Sequence, residues 1–100
     1  MCGSTVGGLS TEGIDVSMET VIQGTVTRED GPVAGAYVRL LDHQDEFTAE
    51  VQTSATGGFR FFAAPGSWTL RALAGGGALG ETGIQADTGI NDVDVTVSST

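Results

Sequence analysis

Residues 47–73 read FTAEVQTSATGGFRFFAAPGSWTLRAL, and this stretch decides the fold. Apolar and polar side chains alternate through residues 47–53, 59–63 and 67–74. A period of two turns one face of a strand inward and the other outward. Thr56-Gly57-Gly58 and Ala64-Pro65-Gly66 separate the three runs, and proline followed by glycine suits the two centre positions of a type II turn. The reading is three strands joined by two tight turns, a meander to which the rest of the chain adds strands. It carries Phe47, Phe59, Phe61, Phe62 and Trp68, most of the large apolar side chains in the sequence.

Toward the N-terminus, residues 20–27 alternate with Ile22, Gly24 and Val26 on one side and Val21, Gln23 and Thr25 on the other. Glu29-Asp30-Gly31-Pro32 is a turn, and residues 36–41 form a strand with Tyr37, Arg39 and Leu41 opposite Ala36, Val38 and Leu40. Asp42-His43-Gln44-Asp45-Glu46 closes it as a polar loop. Toward the C-terminus, Gly75-Gly76-Gly77 offers almost no side chain to pack, residues 80–86 make a weak strand, and residues 90–97 make a clean one. No stretch holds a helical period over ten residues. The expected fold is all-β: a single seven-stranded antiparallel β-sandwich of transthyretin-like, Greek-key character. Val38, Leu40, Phe59, Phe61, Trp68, Leu70, Val93 and Val95 should form its core. Residues 1–17, rich in Gly, Ser and Thr, read as a flexible arm, and residues 18–100 as the domain.

The 100 residues hold thirteen acids against four arginines, with no lysine, for a net charge of −9. Nucleic-acid backbones and anionic membrane surfaces both demand clustered cations, so neither is an expected partner. An acidic surface that keeps a small domain soluble is the plain reading; a cationic protein or a metal ion is the sharper one. The N-terminus shows neither the basic nor the apolar region of a signal peptide, so a cytoplasmic location is expected.

VIQGTVTREDGPVAGAYVRLLD at residues 21–42, followed by the stretch at 47–73, resembles the carboxypeptidase regulatory-like, transthyretin-related β-sandwich repeats. The matching elements are Gly24 inside the first strand, the Asp30-Gly31-Pro32-Val33 turn, and Gly35-Ala36 leading a strand. Thr56-Gly57-Gly58-Phe59 and Pro65-Gly66 before Trp68 complete the set. More closely, residues 18–97 and the opening Met1-Cys2-Gly3 resemble an actinobacterial family of unknown function (DUF1416-like). The resemblance implies proximity to sulfur metabolism, because such proteins are often encoded beside a rhodanese-type thiosulfate sulfurtransferase. The sulfurtransferase active-site loop, a cysteine in a cradle of backbone amides on an α/β domain, has no counterpart in this sequence.

Candidate chemistry falls on few residues. Cys2 is the only cysteine, so no intrachain disulfide forms. With Met1 removed, its amine and thiol would sit on adjacent carbons and could chelate a soft metal or carry a persulfide; the plainer reading is an exposed thiol. Arg39, Arg60 and Arg71 occupy outward strand positions and would form an anion-binding patch if their strands shared a sheet. Alternatively each pairs with an acid such as Glu50, Asp42 or Asp94. Asp42, His43, Asp45 and Glu46 lack the spacing of a calcium loop, and one histidine cannot build a zinc site, so no metal or other cofactor is expected. No catalytic constellation is legible, and the chain does not read as an enzyme. The expectation is a non-catalytic binding or adaptor domain serving a cytoplasmic sulfurtransferase or related sulfur metabolism. The alternatives are a sulfur carrier or redox protein using Cys2, and a structural module that self-associates into a homo-oligomer through its edge strands.

Overall fold

The computed structural model describes residue 15 and residues 17–98. Nine strands succeed one another: β1 (Thr20–Arg28), β2 (Gly31–Pro32), β3 (Tyr37–Leu41), β4 (Phe47–Gln52), β5 (Gly58–Ala63), β6 (Gly66–Leu73), β7 (Leu79–Ala86), β8 (Gly89–Asp92) and β9 (Val95–Thr96). A single 3₁₀ turn at Gly75–Gly77 links β6 to β7. The strands build two sheets, one of five strands and one of four, that face each other without closing into a barrel.

Two expectations about the sheets are corrected. The described residues form nine strands, not seven, because Gly31–Pro32 pairs back onto Thr27–Arg28 and the last predicted strand is split in two. The pairing is also mixed rather than antiparallel. β1 is the spine of the five-stranded sheet, antiparallel to β5 and β2 along one edge and parallel to β8 and β9 along the other. The split between β8 and β9 has a local cause. There the chain passes so close to Gly24 that a Cβ on this residue would lie 1.6 Å from the Val93 carbonyl oxygen. The ladder is interrupted at that point, and Val93 N donates to Gln23 O (2.8 Å) while Thr25 N donates to the Asp94 carboxylate (3.0 Å).

The four-stranded sheet runs β4-β3-β6-β7, antiparallel throughout. Residues 47–73 are therefore not a meander. β4 and β6 belong to this sheet while β5 crosses to the other and pairs with β1. Both connections look like hairpin turns in sequence, but each carries the chain from one sheet to the other. Gly57 O, at the end of the first turn, accepts from Val26 N of β1 (2.9 Å). The second crossing is braced by Trp68 Nε1, which donates to Ala64 O (2.8 Å).

The core lies between the sheets. Ile22, Val26, Phe59, Phe61 and Val95 from one sheet meet Val38, Leu40, Leu70, Ala72 and Ala86 from the other, all buried. Phe59 and Phe61 pack with their ring centroids 6.1 Å apart. Of the eight residues expected in the core, six are buried, while Trp68 and Val93 are partly buried at its margin. Thr53 is the main polar group inside. Its hydroxyl accepts from Ala36 N (2.8 Å) and donates to Val33 O (2.7 Å), so a side chain adds to the backbone bonds of Thr53 N to Ala36 O and Gly35 N to Thr53 O where β4 ends. The sheets also approach at the β7 edge, where a Cβ on Gly80 would lie 2.1 Å from Thr96 O and Leu79 exchanges two backbone bonds with Ser98.

Candidate functional site

The four-stranded sheet turns one face to the core and the other to solvent. In β3 the outward positions are Tyr37 and Arg39, in β6 Arg71 and Leu73, in β7 Leu79 and Glu81, and in β4 Glu50 and Gln52. Register aligns them in two rows across the strands. One row is Glu50–Arg39–Arg71–Glu81; the next is Gln52–Tyr37–Leu73–Leu79.

The charged row has its two cations side by side. Arg39 and Arg71 are direct cross-strand partners, an arrangement that is unfavourable by itself. Each turns toward the acid on its far side: Arg39 Nε lies 2.8 Å from Glu50 Oε2, and Arg71 Nη2 lies 3.1 Å from Glu81 Oε2. The Arg39 guanidinium also sits 5.9 Å over the Phe47 ring, within cation–π range. The ion pairs are solvent-exposed, so each contributes at most about 1 kcal/mol. They orient the guanidinium groups more than they hold the fold.

The apolar row is unusually open. Tyr37 is 48% exposed, Leu73 46% and Leu79 56%. With Arg39, Glu50 and Arg71 they line a shallow depression of about 420 Å³. No serine, cysteine or histidine lines it, so its chemistry is that of recognition: donors, acceptors and apolar surface.

Arg39 and Arg71 are thus brought together, but Arg60 is not with them. It lies on β5 in the other sheet, where Nε donates to Gln23 Oε1 (3.0 Å) and the Gln23 amide donates to Asp92 Oδ1 (3.3 Å). A three-arginine patch does not form. Outward alternation fixes a side chain's face and says nothing of which sheet its strand joins. Of the acids expected to pair with arginine, Glu50 does. Asp94 instead accepts from Thr25 N, and Asp42 from the amides of Gln44 (2.8 Å) and Glu46 (3.0 Å). Those two amides, Glu46 first, together with the neighbouring His43, hold the Asp42 carboxyl below its ordinary pKa. They tie the β3–β4 loop into a turn that puts Asp45 at φ 61°. Among the described residues no group of three or more His, Cys, Asp or Glu side chains could hold a metal ion. Cys2 lies outside the described residues.

Leu79 is not singled out by alternation, because it stands one residue before the strand expected at 80–86. A second groove, of about 530 Å³, runs past Met18, Phe62, Pro65 and Trp68 where β5 crosses to β6, and no arginine lines it. Among the described residues no helix is long and apolar enough to cross a membrane.

Comparison with known proteins places these features in a lineage. A family model described as "Protein of unknown function (DUF1416)" matches residues 2–97. Uncharacterized proteins Rv0814c and Rv3118 of Mycobacterium tuberculosis are each 54% identical over 101 residues, covering 98% of this chain and all of theirs. An uncharacterized protein of Mycolicibacterium smegmatis is 56% identical over 87 residues, covering 86% of this chain and 97% of its own. Among solved structures, a DUF3823 family protein from Parabacteroides merdae superposes with a TM-score of 0.65 at 15% identity. The match takes in 80% of this chain, but the chain spans under half (46%) of that protein. The dioxygenase domain of a dioxygenase carbohydrate-binding protein fusion from a cellulolytic Streptomyces gives 0.61 at 13% identity, covering 80% of this chain and 79% of its own. At such identities these two likenesses speak for the fold alone.

Proposed function

The chain belongs to the DUF1416 family, and from that premise we propose that it is a non-catalytic binding or adaptor domain that engages a protein through the outer face of its four-stranded sheet. One observation carries the reading: Tyr37, Leu73 and Leu79 are exposed together beside the paired Arg39 and Arg71. Tyrosine and arginine are the residue types enriched at interface cores, and contiguous apolar surface on a soluble domain marks an interaction site. The lining of the depression lacks a nucleophile–base pair, which is why binding is preferred to catalysis. A cytoplasmic sulfurtransferase is the partner to test first, on the strength of what the family resemblance implies.

The test is co-elution of the purified full chain with an actinobacterial thiosulfate sulfurtransferase. A Tyr37→Ser/Leu79→Ser variant should keep its melting profile and lose the complex, while Cys2→Ser should retain it. Co-elution unchanged in the double variant would remove this face from the function. A complex that needs Cys2 would point to sulfur transfer instead.

A further inference from the structure

The geometry of the same face says what kind of segment it would bind. Same-face side chains recur about every 6.8 Å along a strand, and strands lie about 4.8 Å apart. The charged and apolar rows are one such repeat apart, since Arg39 is two residues from Tyr37 and Arg71 two residues from Leu73. An extended peptide has this repeat too, so its residues i and i+2 can reach both rows at once.

The sign of the charge follows from the row itself. Arg39 and Arg71 oppose each other at its centre, and the flanking glutamates engage one nitrogen of each guanidinium. The remaining nitrogens of both arginines make no further hydrogen bond among the described residues. A carboxylate lodged between them would accept from two planar donors and relieve the like-charge contact. A cation there would meet two positive groups, and at the ends of the row it would meet carboxylates already paired. The chain's net negative charge acts against any anion at long range, but charges more than about 8 Å away are largely screened at physiological salt.

We infer that this face binds an extended peptide segment carrying an acidic side chain two residues from a large apolar one. The acid sits between Arg39 and Arg71, and the apolar group covers Tyr37, Leu73 and Leu79. This inference rests on the binding-domain reading above.

The probe is Ac-Ser-Glu-Thr-Leu-Ser-NH₂, titrated into isotope-labelled full chain and followed by amide chemical shifts. Shifts should concentrate on β3, β6 and the start of β7. Glutamine in place of glutamate should weaken binding by about threefold to fivefold, the worth of an exposed ion pair. Moving leucine next to glutamate should weaken binding similarly. Arg39→Gln/Arg71→Gln should erase the preference for glutamate over glutamine, and Arg60→Gln should preserve it. Equal affinity for the two peptides, shifts centred on β1 and β5, or no shift at about 5 mM peptide (the millimolar limit of weak binding) would each overturn the inference. A peptide that fails while the sulfurtransferase complex still depends on Tyr37 and Leu79 overturns only the inference. Loss of that dependence overturns the binding face itself.

Discussion

Replacing Gly24 with alanine should be among the most damaging single-methyl changes this protein can suffer. The added Cβ would lie 1.6 Å from Val93 O and 2.6 Å from Val93 C. A carbon and an oxygen in ordinary contact stay about 3.3 Å apart, so the strand must retreat by about 1.7 Å. A retreat of that size breaks the bonds from Val93 N to Gln23 O and from Thr25 N to Asp94. Their loss costs about 1 and about 1.5 kcal/mol, and forcing atoms into a packed site adds about 1–3 kcal/mol. The sum, about 3.5–5.5 kcal/mol, is a large part of the roughly 5–15 kcal/mol that keeps a domain of this kind folded. Urea unfolding followed by the fluorescence of the lone tryptophan, Trp68, measures it directly. The melting temperature should fall by more than about 12 °C. Gly75→Ala is the control: nothing lies within 4 Å of its Cβ, and the change should stay within about 0.5 kcal/mol. A Gly24→Ala protein within about 1 kcal/mol of wild type would refute the account of why β8 and β9 are separate strands.

Three further outcomes are expected. Thr53→Val should cost about 2–3 kcal/mol in the same urea assay, because it leaves the amide of Ala36 and the carbonyl of Val33 without the hydroxyl that serves both; a loss below 0.5 kcal/mol would mean that water serves them instead. Phe59→Ala should cost about 3–5 kcal/mol and Trp68→Phe less than half of that, since Phe59 is fully buried while Trp68 sits at the core margin with one hydrogen bond to Ala64; comparable losses would contradict this ordering. The Asp42 carboxyl has a folded pKa below its unfolded one, so its ionised form stabilises the β3–β4 loop above about pH 4 and that contribution fades as pH falls through the depressed value. Asp42→Ala should therefore flatten the acid limb of a melting-temperature profile and leave the neutral region parallel to wild type, and an unchanged acid limb would deny the loop any part in acid unfolding.

The strands themselves were legible because alternation is a property of each strand alone. Val38 and Leu40 against Tyr37 and Arg39, or Leu70 and Ala72 against Arg71 and Leu73, declare their faces without reference to any neighbour. What alternation cannot carry is adjacency. The Thr-Gly-Gly and Pro-Gly turns look identical whether the chain folds back on its own sheet or arches over to the other. Only the capture of Gly57 O by Val26 decides the first case. Arg60 therefore lies apart, while Arg39 and Arg71 meet because β3 and β6, whose nearest ends Leu41 and Gly66 are 25 positions apart in sequence, are neighbours in register. The division of the last strand was likewise hidden, since Val93, Val95 and Val97 alternate without a break and the obstacle lies at Gly24, far away in sequence.

The position of β1 has a consequence for how the molecule comes into being. Its partners along one edge are residues 89–92 and 95–96, joined to it by contacts such as Gln23 to Asp92 and Thr25 to Asp94 that span 69 positions. β1 thus waits for β8 and β9, made much later, before its ladder is complete. Loops that long make chain closure costly before any contact rewards it, so folding on the millisecond-to-second scale is expected, and only after nearly the whole domain has been synthesised. During that interval the β1 edge, with Val21, Ile22 and Val26 along it, is an unpaired apolar template. Any lesion that removes or delays β8 and β9 should lower the yield of soluble protein before it changes anything in the mature fold.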